Sequence, residues 1–258
     1  MKVVILAGGL GTRLSEETTL KPKPMVEIGN YPIIVHIMKY YSLFGFNEFI
    51  ICCGYKGYVI KEYFANYNLH RSDITIDLDK GSTEVHRRSD DNWKITLIDT
   101  GDESLTGGRL RRVKDYINDD EMFHFTYGDG LSNVDLNELV SFHKKHGKKA
   151  TVTAVYPPGR FGTLKINDNQ VTAFEEKPVG DGSGRINGGY FVLHPSVIDL
   201  IDNDQTVWEK EPMKRLTSSG ELMAFNHDGF WHPMDTLRDK HHLEKILEMS
   251  PAPWQKKG

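Results

Sequence analysis

The residues best equipped for chemistry sit in LAGGLGTRL and in the lysines that follow it. Gly8, Gly9 and Gly11 can take positive φ and leave backbone N–H groups unshielded, which makes a concave nest for an anion such as a phosphate. Arg13, Lys21 and Lys23 place cations beyond that nest. A P-loop requires Gly-Lys-Ser/Thr at its end, where this chain has Gly11, Thr12 and Arg13. A dinucleotide fingerprint requires a third glycine where Leu14 stands. A bare βα turn with solvated lysines is the remaining plain alternative. Later segments add to the set: Asp129 in YGDG, Glu176 and Lys177 in EEKP, Asn187 in NGGY and Asp235 in FWHPMDT. At another strand's end, the Asp129 carboxylate can meet the same crevice as the glycine loop. Each aspartate also has a purely structural use, Asp129 as a turn aspartate beside glycine and Asp235 as the N-cap of the helix TLRDKHHLEKI.

These residues need elements to hold them. Lys2 to Ala7 is an apolar run too short for a helix and predicts a buried strand, so the glycine loop sits at a strand's C-terminal end. In open α/β sheets ligands bind beyond those ends. Ile33, Ile37, Tyr40 and Phe44 fall at helical spacing, EFIICC predicts a second buried strand, and KGYVIKEYFANY another helix. Ile74 to Leu78 and Lys94 to Ile98 predict strands, with the polar stretch from Lys80 to Trp93 an exposed loop or hairpin between them. GGRLRRVKDYI predicts a helix, MFHFTYGDG a strand ending in a tight turn, and LNELVSFHKKHGKK an amphipathic helix stopped by Gly147. The βα alternation predicts an α/β fold with a mixed, mainly parallel central sheet and helices on both faces. After Ala150 the segments ATVTAVYPP, GTLKIN, QVTAFEEKP and NGGYFVL predict strands that extend the sheet and build the far wall of the crevice.

Composition bounds the rest. At 258 residues with no linker-like segment, residues 1–258 predict a single domain, with halves 1–150 and 151–258. A formal net charge of −4 gives no reason to expect nucleic acid as a partner. No apolar run approaches the about 20 residues needed to span a bilayer, and the opening strand enters the fold directly, which predicts a cytoplasmic protein without a membrane partner. Cys52 and Cys53 are adjacent, too close for an unstrained disulfide, and predict core packing. His143 and His146 share a helix face among lysines and predict a solvated face, not a zinc site. His241 and His242 point in different directions on a helix, and no hydrolase triad stands out.

Taken together in order, LAGGLGTRL with Lys23 in P-K-P ten residues after Arg13, then YGDG, EEKP, NGGY and FWHPMDT, resemble the sugar-phosphate nucleotidylyltransferases over nearly the whole chain. The resemblance implies a Rossmann-like nucleotidyltransferase fold. It implies catalytic roles for Arg13, Lys23 and Asp129, with Mg²⁺ held by Asp129 and Asp235. Nucleotide contacts fall to Leu6, Ala7, Gly8, Gly9, Leu10, Gly11, Thr12, Arg13, Lys23, Ser104, Thr106, Gly107, Gly108, Arg109 and Gly128. Sugar-phosphate contacts fall to Glu176, Lys177, Asn187, Gly188 and Gly189. The segments IICCGYKGYVIKEYF, DTGDESLTGGRLRRV and PPGRFG resemble most the branch that joins CTP to glucose 1-phosphate, which implies CDP-glucose and pyrophosphate as products, a role in deoxysugar and surface-polysaccharide synthesis, and a homo-oligomer, a hexamer in that branch. A sister enzyme using UTP or dTTP and a non-catalytic sensor of sugar nucleotides are the alternatives. For base choice, a glycine backbone at Gly107 and Gly108 could present a carbonyl to cytosine's amino group while Arg109 donates to the ring.

Overall fold

A computed structural model of the chain describes residues 1–9, 11, 14, 18, 21–86, 91–158, 163–167, 170–175 and 184–257, without side chains for 70, 163–167 and 170–175. The main sheet is built from β1 (Val3–Leu6), β4 (Glu48–Cys53), β7 (Lys94–Asp99), β8 (Phe123–Tyr127), β10 (Ala150–Val155), β13 (Ile186–Leu193) and β14 (Leu222–His227). Shorter ribbons pair β2 (Glu27–Ile28) with β3 (Tyr31–Pro32), β5 (Ile74–Asp77) with β6 (Ser82–Val85), β9 (Gly130–Ser132) with β15 (Trp231–Pro233), and β11 (Thr163–Asn167) with β12 (Gln170–Glu175).

Strand order in the main sheet is β14-β10-β13-β8-β1-β4-β7. Every neighbouring pair is parallel except those made by β13, which runs against both β8 and β10. The sheet thus takes strands from both sides of residue 150. The expected α/β architecture is present, and β1 is one residue shorter at each end than its apolar run. Because β4 lies on one side of β1 and β8 on the other, the order in which strands are added reverses at β1, and a crevice opens beyond the C-terminal ends of β1 and β8. The antiparallel β13 brings its N-terminal residues to that same edge.

Alternation along β1 feeds two cores. Val3 and Ile5 pack on one face with α1 (Ile33–Leu43), α2 (Gly57–Ala65) and the loop-rich region around Met25, whereas Val4 and Leu6 pack on the other with α4 (Thr106–Arg111) and α5 (Lys114–Ile117). The remaining helices are α3 (Tyr67–Arg71), α6 (Leu136–His146), α7 (Glu211–Ser218) and α8 (Leu237–Leu247). Cys52 and Cys53 are buried free thiols, and burial pushes the Cys53 thiol up to about 11.

The polar stretch after Asp79 turns back as a hairpin, β5 with β6, one of the two forms expected of it, before β7 joins the sheet. Two local expectations change. GGRLRRVKDYI breaks into α4 and α5, with the Val113 amide donating to Leu110 O at the break. His143 and His146 are not a solvated face: both rings hydrogen-bond to Thr151 Oγ1, at 2.8 and 2.7 Å, because Gly147 (φ 63°) returns the chain into β10 directly beneath α6. Burial holds the His143 imidazole down at about 4.

Candidate active site

Lys23 lies on a single 3₁₀ turn, Lys23–Met25, between two prolines. Pro24 restricts Lys23, Pro22 fixes the approach, and burial of Pro24 and Met25 anchors the turn to the core. The Lys23 side chain lines the crevice. There it donates to Asp129 Oδ2 at 2.6 Å and to Asp235 Oδ1 at 2.7 Å, with the lysine side chain only 12% exposed. Burial alone would lower the Lys23 pKa, but the Asp129 and Asp235 carboxylates outweigh it and the net direction is up.

Two elements bring the aspartates together across 106 residues of sequence. Asp129 follows β8 at the crevice edge, and its carbonyl accepts the Met234 amide at 2.8 Å. The pairing of Pro233 with Gly130 then sets Asp235 beside it. Asp235 is not the N-cap of α8. Thr236 holds that position in a capping box with Asp239, and the Asp239 carboxylate accepts from the backbone N–H of both Asp235 (3.1 Å) and Thr236 (2.9 Å). The local helix signal is satisfied one residue later, which leaves the Asp235 carboxylate for the crevice.

The crevice is a cavity of about 590 Å³, within the range of small-molecule sites. Leu6, Ala7, Gly8, Gly9, Gly11, Lys23, Ser104, Thr106, Arg109, Gly128, Asp129, Asn187, Gly188, Gly189 and Asp235 all line it. Leu10, Thr12, Arg13, Glu176 and Lys177 lie outside the described residues. Sequence reasoning passed over Tyr127, Tyr190 and Trp231, which also line the cavity. The period of two along a strand, which puts Tyr127 on the same side as Asp129, was the available signal for the first. Trp231 donates its indole N–H to Gly188 O at 2.6 Å and so fixes the start of β13.

The turn SLTGGRL departs from expectation. Gly107 and Gly108 do not face the cavity: their amides both donate to Thr206 O, and a Cβ on Gly108 would stand 2.2 Å from Asp204 O. These glycines are required by the docking of segment 204–206 onto the start of α4. Arg109 does line the cavity, but its terminal nitrogens are occupied. They donate to Gly8 O (2.9 Å), Gly101 O (2.7 Å), Asp102 O (3.1 Å), Thr100 Oγ1 (2.9 Å) and Cys53 O (3.4 Å). The guanidinium, buried and with its pKa lowered by that burial, ties the glycine loop to the loops after β4 and β7. A Cβ on Gly8 would meet it at 2.2 Å, so the glycine there serves this tie as well as any anion. Seen from the protein side, what Arg109 was expected to offer a base it gives to backbone carbonyls.

Two carboxylates converging on one ammonium, with Gly8, Gly9 and Gly11 on one wall of the cavity and Asn187 on another, make an arrangement able to hold a polyanion with a divalent cation. Among the described residues no cluster of three or more metal-ligating side chains forms. Any such cation would take its other ligands from water and substrate, as Mg²⁺ commonly does.

The nucleotidyl transferase family model matches residues 2–237. The chain is 64% identical over 255 residues to glucose-1-phosphate cytidylyltransferase of Salmonella typhimurium, covering 99% of both chains. It is 44% identical over 256 residues to a probable glucose-1-phosphate cytidylyltransferase of Bacillus subtilis, again covering 99% of both. Among solved structures it resembles HddC from Yersinia pseudotuberculosis, with a TM-score of 0.69, 25% identity and coverage of 95% of this chain and 99% of that one.

Proposed function

The chain belongs to the nucleotidyl transferase family, and from that premise we infer that it transfers the cytidylyl group of CTP to glucose 1-phosphate, giving CDP-glucose and pyrophosphate. The observation that carries the choice of substrates is the full-length 64% identity to a cytidylyltransferase. It disfavours the uridylyl, thymidylyl and sensor alternatives.

In this reaction a phosphate oxygen of glucose 1-phosphate forms a bond to the α-phosphorus of CTP as the bond from that phosphorus to the β-phosphate bridging oxygen breaks. Pyrophosphate leaves with the electron pair. The nucleophile is already anionic near neutral pH, so the protein need not supply a general base. Its task is to hold two polyanions in line and to offset charge as it builds. Gly8, Gly9 and Gly11 cradle phosphate oxygens by their backbone N–H groups, and Lys23 supplies a cation at the α-phosphate. Ser104 and Thr106 flank the nucleoside, while Asn187, Gly188 and Gly189 face the sugar. Asp129 and Asp235 fit Mg²⁺, since both already point at a single cation position. When bound, the metal would offset triphosphate charge and polarise the α-phosphorus. Arg13, Glu176 and Lys177 keep the roles that the family resemblance gives them, on the triphosphate, the sugar and its phosphate. The same resemblance carries supply of CDP-glucose for deoxysugars, a homo-oligomer and a cytoplasmic setting.

The aspartates take two of the three N–H donors of the Lys23 ammonium. In the nucleotide-free protein its ammonium offsets part of the charge of the carboxylate pair, and a divalent cation held by the aspartates would free its donors for the phosphate. The test is a panel of CTP, UTP, dTTP and GTP against several sugar 1-phosphates, followed by pyrophosphate release. CTP with glucose 1-phosphate should be the best pair. Equal use of CTP and UTP would overturn the cytidylyl reading.

A further inference from the structure

Glu209 belongs to no motif in the sequence and does not line the cavity, yet three cavity residues depend on it. Its carboxylate accepts the Tyr127 hydroxyl on one oxygen and Thr106 Oγ1, at 2.7 Å, on the other. Its backbone position is set by Trp208, which is fully buried with its ring against Phe125 and Phe191 and whose amide donates to Thr106 Oγ1 at 2.9 Å.

An ionised carboxylate only accepts, and this gives the network a direction. The Tyr127 proton must go to Glu209, so the Tyr127 oxygen is left as an acceptor. Asn187 Nδ2 donates to that oxygen at 3.3 Å, and Asn187 Oδ1 accepts the Gly189 amide at 2.8 Å. Both ends of the Asn187 amide are thereby assigned. One N–H of Nδ2 remains at the cavity wall for an oxygen of the ligand. The Gly189 amide, which only donates, holds the carbonyl end; were the tyrosine proton turned toward Asn187, two donors would meet at Nδ2 and the nitrogen end would be pushed from its place at the cavity wall.

We propose that Glu209 is a positioning residue for the sugar 1-phosphate: through the Tyr127 hydroxyl it fixes the Asn187 amide with its nitrogen toward a sugar hydroxyl. The proposal rests on the reading that Asn187 faces the sugar. Its effect is carried by a hydrogen-bond direction across β8 and β13, with no contact between Glu209 and substrate.

The experiment is steady-state kinetics of Glu209→Leu, which offers the tyrosine no acceptor, and Tyr127→Phe, varying glucose 1-phosphate at saturating CTP and then CTP at saturating glucose 1-phosphate. Loss of one oriented hydrogen bond should raise KM for glucose 1-phosphate by about tenfold in both variants, with KM for CTP within about twofold of the parent in Tyr127→Phe, which leaves Thr106 its carboxylate partner. Thermal melting within a few degrees of the parent, as about 1 kcal/mol implies, identifies folded variants. Equal rises in both KM values for Tyr127→Phe, or no rise for glucose 1-phosphate in either variant, would overturn the proposal. A parent protein that releases no pyrophosphate from CTP and glucose 1-phosphate would instead overturn the functional reading, so the two failures are distinct.

Discussion

The two sides of the crevice solve opposite problems with similar residues. On one side, Lys23, Asp129 and Asp235 come from three distant loops and end on one another, at 2.6 and 2.7 Å, inside the cavity. On the other, Gly107, Gly108 and Arg109 end on the protein's own backbone, at Thr206 O, Asp204 O and the carbonyls around Gly8 and Gly101. The first group is organised for a ligand's charge and the second for the shape that surrounds it. A glycine run beside an arginine looks the same in sequence whether it receives a phosphate, a base or a neighbouring loop. Which it does depends on what stands within a few ångströms.

The largest expected effect separates the two sides outright. Lys23→Ala should lower kcat for CDP-glucose formation by about a thousandfold or more, as loss of a charge at a reacting phosphate does. Because Lys23 is mostly enclosed by two carboxylates, its loss should also cost about 1 to 3 kcal/mol of stability, read by denaturant unfolding. Activity near that of the parent would remove the lysine from the reacting centre.

Gly108→Ala sharpens the comparison from the other side. The added Cβ would stand 2.2 Å from a backbone oxygen that no side-chain rotation can move. Docking of segment 204–206 should loosen, with a fall in melting temperature of about 5 °C or more and a smaller loss of kcat than Lys23→Ala. A variant as stable as the parent but unable to use CTP would return this glycine to the nucleotide.

The most modest effect concerns base choice. Arg109→Lys keeps the charge but cannot fork across five acceptors. The glycine loop should lose definition, raising KM for CTP by about tenfold while leaving the ratio of CTP to UTP use unchanged. A change in that ratio would show that the guanidinium reads the base after all.

The fold was legible where the pattern was strong. The apolar runs of β1, β4 and β8 and the helices α1 and α6 could be placed from periodicity, because burial on one or both faces dictates those residue types. Gly147 marked the end of α6 because a left-handed C-terminal residue favours glycine. What could not be read is set by tertiary contact. His143 and His146 occupy a position typical of a solvated helix end, and only the return of β10 beneath them makes them partners of Thr151. The antiparallel entry of β13 between β8 and β10 leaves no local mark either, yet it is what brings Asn187 beside Tyr127. Lys23, Asp129 and Asp235, named from motif order, meet in one crevice. The alternative use of Asp235 as a helix cap is taken by Thr236, since aspartate and threonine are both good caps and only geometry chooses.

The central claim is that Asp129 and Asp235 form a cation position that Lys23 fills until a metal arrives. Titration of the nucleotide-free protein with Mn²⁺, following the free ion by electron spin resonance, tests it without any turnover. Removing the ammonium leaves two converging carboxylates without their partner, so Lys23→Ala should bind Mn²⁺ at least about tenfold more tightly than the parent. Adding Asp235→Asn to that variant should abolish the gain. If Lys23→Ala binds Mn²⁺ no better than the parent, the two aspartates are not a cation site held by the lysine, and the account of the centre fails.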